Sequence, residues 1–333
     1  DSTAMSLAKF ARSLRSKNEV GTIAAALVLF LGFTLLTDSF ATTYNLFNVG
    51  RNLSIYVFIA LGQAVVMVVG GMNLSLGAIG GLATITAGML MEKAGWGPIP
   101  ASAAALGVGL FTGWLNGIVI VKTKLNSFIV TQATSFIFTG LVMGISKGYP
   151  MTKLPEDYAM LGQGNTLGIP NLILLLVVTL VVVWYFFSFT VTGRRLLSTG
   201  GNLQAARLSG IKTDRMIVLA NVLSGGFAAI TALLWISRMG SAQPATGGNW
   251  MIISFAVAVI GGTSLTGGSI SAVGLFFGGL IMVKNGLILM QVDTYFEQTF
   301  LGAIILLAVL LGQSKELIPM RKKAAVPRPG TAE

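Results

Sequence analysis

Gln63, Asn73, Asn116, Thr131, Gln132, Ser135, Asn221, Ser224 and Asn285 are amides and hydroxyls set inside long apolar runs. Such groups donate and accept hydrogen bonds without exchanging protons near neutral pH, which suits them to a neutral polyol or sugar. They serve equally to tie one helix to the next, at about 0.6–2 kcal/mol per bond in a bilayer. Trp250, beside Asn249, adds an aromatic face on which a sugar ring can stack, although a Trp at the end of an apolar run is also a common interfacial anchor. The chain has no His and no Cys, so thiolate metal sites, disulfides and imidazole proton relays are excluded. Apart from residues at the very start of a run, the one charged side chain within the apolar runs is Lys284, close enough to an end to snorkel. Without intramembrane carboxylates an ion-driven carrier is disfavoured. The absence of a G-x-x-x-x-G-K-[ST] motif means that energy for transport, if used, comes from another polypeptide. No cluster of acids, His or Cys exists to support an enzyme.

The elements that must position these groups follow from composition. Of 333 residues 54% are hydrophobic and 10% charged, with a mean hydropathy of +0.81, far from the roughly 25% charged content of a soluble domain. At about 20 residues per crossing, spans are predicted near 20–37, 51–70, 74–91, 99–121, 127–146, 170–188, 215–236, 250–262, 270–290 and 298–312. The fold class is therefore all-α, a polytopic membrane protein of about ten transmembrane helices. The first run is long enough to stay as an anchor rather than be cleaved as a signal peptide. The eighth is short and ends in Gly261-Gly262-Thr263-Ser264-Leu265-Thr266-Gly267-Gly268, which suggests a half-helix lining a cavity.

Charge sets the orientation. The net charge of +11 is dispersed through loops with no separate basic domain, which argues for orientation among membrane lipids and against nucleic acid. An arm over residues 1–19, a short loop carrying Lys122 and Lys124, a loop over 192–215 and a tail over 313–333 together hold 16 of the 22 basic residues. These parts are placed on the cytoplasmic side of a membrane domain spanning 20–312, so both termini are expected in the cytoplasm. The segment 147–169 becomes the largest outer loop, a docking place for an external protein.

The 192–215 loop is the longest basic interruption. Its centre, Gly201-Asn202-Leu203-Gln204-Ala205-Ala206-Arg207-Leu208-Ser209-Gly210, reads as one short helix, with Asn202 as N-cap and Gly210 as a left-handed stop. Ala205 and Ala206 would make one side small enough to enter a partner's groove. An internal repeat is also visible. Residues 68–77 align with 259–268 at an offset of 191, pairing Gly70-Gly71 with Gly261-Gly262, Leu74 with Leu265 and Gly77 with Gly268. Paired Gly-interrupted segments in two halves of a chain point to a transport pathway.

Four stretches then carry a resemblance: Gly70-Gly71-Met72-Asn73-Leu74-Ser75; Asn116-Gly117 with Asn126-Ser127-Phe128-Ile129-Val130-Thr131 and Ala133-Thr134; Gly200-Gly201-Asn202 with Ala205-Ala206 and Gly210-Ile211; and Gly261-Gly262-Thr263-Ser264-Leu265 with Gly267-Gly268 and Asn285-Gly286-Leu287. In order and spacing the chain resembles the ribose, galactose and arabinose-type membrane permeases of bacterial ABC importers, grouped with the branched-chain amino-acid permeases. The resemblance implies a non-catalytic inner-membrane subunit. Its partners would be ATP-binding cassette subunits, a second permease chain and a periplasmic solute-binding protein. ATP and magnesium would belong to the ATPase partner, leaving this chain without a cofactor.

It further implies that Gly201, Asn202, Ala205, Ala206, Arg207, Gly210 and Ile211 form a coupling helix against the ATPase. The expected pathway residues are Gln63, Asn73, Asn116, Thr131, Gln132, Trp250 and Asn285. Asn73 departs from the usual Asp of the family and Gln132 from its usual Leu. Residues 248–253, Gly-Asn-Trp-Met-Ile-Ile, replace a more acidic stretch. The expected solute is a monosaccharide or polyol. A nucleoside, a signalling sugar or a branched-chain amino acid stays open, as does a passive channel.

Overall fold

The computed structural model describes residues 17–282 and scattered positions beyond them. Twelve α-helices occur among the described residues: α1 (Lys17–Leu36), α2 (Thr43–Val68), α3 (Leu76–Glu92), α4 (Pro98–Thr123), α5 (Ser127–Ser146), α6 (Ala159–Gln163), α7 (Asn171–Phe189), α8 (Val191–Gly201), α9 (Leu203–Leu208), α10 (Thr213–Met239), α11 (Trp250–Ile260) and α12 (Ala272–Ile281). The all-α expectation is modified by a single two-residue hairpin, β1 (Asn165–Thr166) with β2 (Ile169–Pro170). Five helices, α2, α4, α5, α7 and α10, are long and apolar enough to cross a membrane; α1, α3, α11 and α12 contribute shorter apolar stretches. Most of the predicted spans 270–290 beyond Met282 and 298–312 lie outside the described residues, as do the arm over 1–16 and the tail.

Apolar residues surround α2 on every side, and it runs through the centre of the bundle with Ile55, Phe58, Ile59, Leu61 and Met67 fully buried. Beside it α10 crosses α4 at backbone contact. A Cβ on Gly109 would stand 2.5 Å from the Gly225 carbonyl oxygen, and one on Gly113 only 2.2 Å from that of Asn221. Small residues at every fourth position of α4 thus let two main chains touch, the usual means of binding helices where apolar burial supplies little drive.

At one end of the bundle the 147–170 segment is folded over α2 and α10. Arg51 donates to the Gln163 carbonyl at 2.7 Å and to Asn165 Oδ1 at 3.1 Å, while the Gly162 N–H donates to Ser237 Oγ at 2.8 Å. The Glu92 carboxylate, at the end of α3, accepts from the N–H groups of Thr152 and Lys153 at 2.7 and 2.9 Å. Burial raises the Tyr158 phenol above its ordinary range, and its bond to Ser102 offsets part of that shift.

At the other end the chain between α7 and α10 is not the loop with a single short helix that its charges suggest. Thr190 Oγ1 accepts from the Gly193 N–H at 3.0 Å and starts α8, which buries Leu196 and Thr199 and turns Arg194 and Arg195 outward. A second cap, Asn202 Oδ1 accepting from the Ala205 N–H at 2.9 Å, opens α9 as the sequence suggests, and Gly210 follows with φ +78°. Gly201 therefore closes α8 instead of opening α9.

Candidate functional site

Two helices break off inside the bundle, and both breaks use the same cap. After α2, Gly70 takes φ +79° and the Gly71 N–H returns to the Val66 carbonyl; after α11, Gly262 takes φ +81° and the Thr263 N–H returns to the Ala258 carbonyl. Each is a left-handed glycine stop with a six-to-one hydrogen bond, where an L side chain would strain the turn. The matched geometry pairs Gly70 with Gly262, one residue away from the pairing that letter matching gives.

The first break, residues 69–75, is filled by polar side chains. Asn73 Oδ1 accepts from the Ser75 N–H at 3.0 Å and the Ser75 hydroxyl at 2.7 Å, and its Nδ2 donates to Ser224 Oγ at 2.9 Å. Asn116 Nδ2 donates to Ser75 Oγ at 2.8 Å, joining α4 to the same knot. From α5, Ser127 Oγ accepts the Met72 N–H and Thr131 Oγ1 the Leu74 N–H. Asn73, Asn116 and Thr131 are each fully buried. These three expected pathway residues therefore hold the break together and do not reach open space in this conformation; a non-helical backbone inside a bilayer needs such partners.

Gln63 is likewise buried on α2, with Oε1 unpartnered among the described residues. Trp250 is buried as well. Instead of offering a face to a ligand, its indole is 3% exposed, meets Trp235 edge to face at 6.3 Å, and occupies the space a Cβ on Gly80 would need. Asn285 lies outside the described residues.

What does open to a cavity is one face of α5. Gln132, Ser135 and Thr139, spaced i, i+3 and i+7, line a space of about 310 Å³, within the range of small-ligand sites, about 300–1,000 Å³. Opposite stands α3, presenting Gly77, Ala78 and Gly81. A third wall is residues 244–248, part of an irregular stretch that follows α10, and Leu74, Val142, Met143 and Met251 add apolar surface. That stretch runs back along the small face of α3. Ala242 lies against Gly88, the Thr246 carbonyl against Gly81 and the Gly247 carbonyl against Gly77, where an added Cβ would fall 2.5, 3.1 and 2.1 Å away. It then turns into α11 at Trp250. Residues 241–249 were legible only as a loop with Pro244, Gly247 and Gly248; the signal pointing inward was the absence of any charge between Gly240 and α11.

The arrangement offers neutral hydrogen-bonding groups and no charge to whatever enters. No cluster of His, Cys, Asp or Glu able to hold a metal occurs among the described residues.

The α9 region also departs from expectation in detail. Ala206 faces inward and is buried, whereas Ala205, Leu203 and Leu208 are exposed, Leu208 to 90%. Arg207 folds back on α10, with its Nε donating to Thr213 Oγ1 at 2.9 Å and its Nη2 paired with Asp214 at 3.1 Å. The outward surface of α9 is thus Leu203, Gln204, Ala205 and Leu208, with the Leu208 side chain missed by a reading that looked for small residues.

Residues 45–309 match the family described as branched-chain amino acid transport system / permease component. The chain is 36% identical over 302 residues to the ribose import permease protein RbsC of Bacillus subtilis strain 168, covering 89% of this chain and 93% of that protein. It is 31% identical over 294 residues to the D-allose transport system permease protein AlsC of Escherichia coli K12, covering 87% of this chain and 89% of that one. The L-arabinose transport system permease protein AraH of the same strain is 31% identical over 304 residues, 90% of this chain and 92% of its own. No solved structure matches. With buried polar helix breaks, five membrane-length helices and a family match over most of its length, the chain belongs to the branched-chain amino acid transport system / permease component family, as a multi-pass inner-membrane protein.

Proposed function

We propose that this chain is the permease subunit of an ATP-driven sugar importer, carrying a monosaccharide past the α5 face. The observation that supports it most is the row Gln132, Ser135 and Thr139 facing residues 244–248 across a cavity lined without charge. Such a wall exchanges hydrogen bonds with hydroxyls and holds no charge to meet a zwitterion. The relatives named for ribose, allose and arabinose supply the same solute class.

The chain itself performs no chemical step. ATP and magnesium are bound by separate ATPase subunits, which meet the outward surface of α9 on the cytoplasmic side. The chain makes about ten crossings in two related halves, with both termini cytoplasmic, an orientation that the distribution of basic residues supports. The exposed apolar face of α5, with Phe136 and Ile137, is suited to a second permease chain across the pathway. The 147–170 fold receives a periplasmic binding protein.

The test is reconstitution with the ATPase subunit in lipid vesicles. ATP hydrolysis is followed while binding proteins loaded with ribose, allose or arabinose are added in turn. Stimulation by one of them, accompanied by uptake of its sugar, is expected; solute flux without ATP or any associated ATPase would replace the importer with a channel.

A further inference from the structure

The C-terminus of α8 touches both helix breaks at one point, by main chain alone. A Cβ on Gly200 would lie 1.7 Å from the Val68 carbonyl oxygen and 2.8 Å from the Gly268 nitrogen. That same Val68 carbonyl, at the end of α2, accepts the Gly268 N–H at 2.9 Å, so the two breaks are bonded to each other beneath α8. Gly267 closes the third side, where a Cβ would stand 2.8 Å from the Gly200 carbonyl oxygen and 3.0 Å from the Gly70 nitrogen. Three segments far apart in sequence are in contact with no side chain between them.

What lies downstream gives the contact meaning. The first break is bonded through the Met72 and Leu74 N–H groups to Ser127 and Thr131, at the start of the helix that presents Gln132 to the cavity. The second break ends α11, whose other end continues directly into the wall at residues 244–248. Both walls of the cavity are therefore tied, one through hydrogen bonds and one through a single short helix, to the spot that α8 occupies. Close-packed main chain has no side-chain rotamers to absorb a displacement, so movement at one segment must appear in the others.

We infer that Gly200 is a positioning residue for transport: through its contact with Val68 and Gly268, motion of α8 and α9 is delivered to both cavity walls together. The inference rests on the reading of α9 as the ATPase contact. It differs from a simple packing role in that it assigns one contact to two walls.

The chain contains no cysteine, so paired spin labels can be placed without removing native thiols. Labels go on the exposed positions Ser209 and Leu265, and on Ser209 with Lys122 at the end of α4, in the full chain assembled with its ATPase subunit. Between the nucleotide-free state and the state held by a non-hydrolysable ATP analogue, the 209–265 distance is expected to stay constant while the 209–122 distance changes. In Gly200→Ala, ATPase association should persist, stimulation by loaded binding protein should vanish, and sugar uptake per assembled complex should fall about tenfold, within the span of ordinary coupling effects.

Unchanged uptake per complex, or a 209–265 distance that changes as much as 209–122, would overturn the inference. If Gly200→Ala does not assemble, the label distances in the Gly200 protein decide alone. A Leu208→Asp chain that still binds the ATPase fully would count against the α9 reading, and the label result would stand apart from it.

Discussion

The two helix breaks share a cap and differ in what fills them. Residues 69–75 are sealed by side chains from α4, α5 and α10, with Asn73 and Ser75 inaccessible to solvent. Residues 261–271 are joined to α2 by the Gly268 N–H bond to the Val68 carbonyl, while their tip is held locally: Ser264 and Thr266 hydroxyls lie 2.8 Å apart, the Ser264 N–H reaches Ser269 Oγ at 3.3 Å, and Leu265 and Thr266 are exposed. A turn whose bonds are local and exposed opens at low free energy, whereas one bonded to three other helices moves only if those helices move. The pair thus joins a break sealed on all sides to one sealed only at Gly267-Gly268, around the same glycine contact.

The sharpest way to break the contrast is Asn73→Leu. It removes three buried hydrogen bonds and leaves Ser224 and the Ser75 N–H without partners, a loss of about 3 kcal/mol. The folded chain recovered in detergent should drop steeply, with a lower unfolding midpoint. Asn73→Asp sharpens it instead. A carboxyl oxygen can accept from Ser75 as the amide does, and the Ser224 hydroxyl can turn to donate, so near-normal assembly and uptake are expected. That exchange of donor and acceptor explains how Asn can stand where relatives of the resembled family carry Asp.

Next in size is Leu208→Asp, which places a charge on the exposed apolar tip of α9. ATPase co-purification should fall about tenfold with the chain still folded. Gln132→Leu acts beyond the break on the cavity face alone. The ratio of uptake rates between ribose and arabinose should shift by roughly tenfold, at unchanged ATPase association, the scale of one or two hydrogen bonds. The smallest effect belongs to Ser264→Ala in the second break, where stability should stay within about 0.5 kcal/mol. Equal damage from Asn73→Leu and Ser264→Ala would erase the distinction between the two breaks.

How much of this was legible in the residues varies by element. The α5 boundaries follow directly from Asn126, whose side chain caps the helix at the Phe128 N–H, 2.9 Å away, and α9 follows from Asn202 in the same way. Caps are local, so sequence carries them. α8 was hidden because three glycines and two arginines weaken any periodic signal, although Thr190 marked its start. The cavity was only partly visible. Gln132 and Ser135 stand out as polar residues in an apolar run, but nothing local distinguishes them from Asn73, Asn116 and Thr131, whose partners lie about 40 to 150 positions away. The packing of Trp250 was hidden for the same reason, since the glycine that receives it is on another helix. Long-range pairing decides whether an intramembrane polar group faces a pathway or another helix, and a single sequence does not contain it.

The irregular wall at residues 244–248 has a consequence for how such a protein diversifies. Its Thr246 and Gly247 carbonyls are packed on Gly81 and Gly77 of α3, so a bulkier residue there disturbs that packing before it changes the chemistry of the cavity. Heritable change in what the cavity recognises is thereby concentrated on the facing helix, at three positions one turn apart, where a substitution meets the solute without disturbing the hydrogen-bonded knot beneath it. Selectivity and assembly are in this way written on separate faces of α5, and a lineage can exchange one sugar for another by editing a handful of codons.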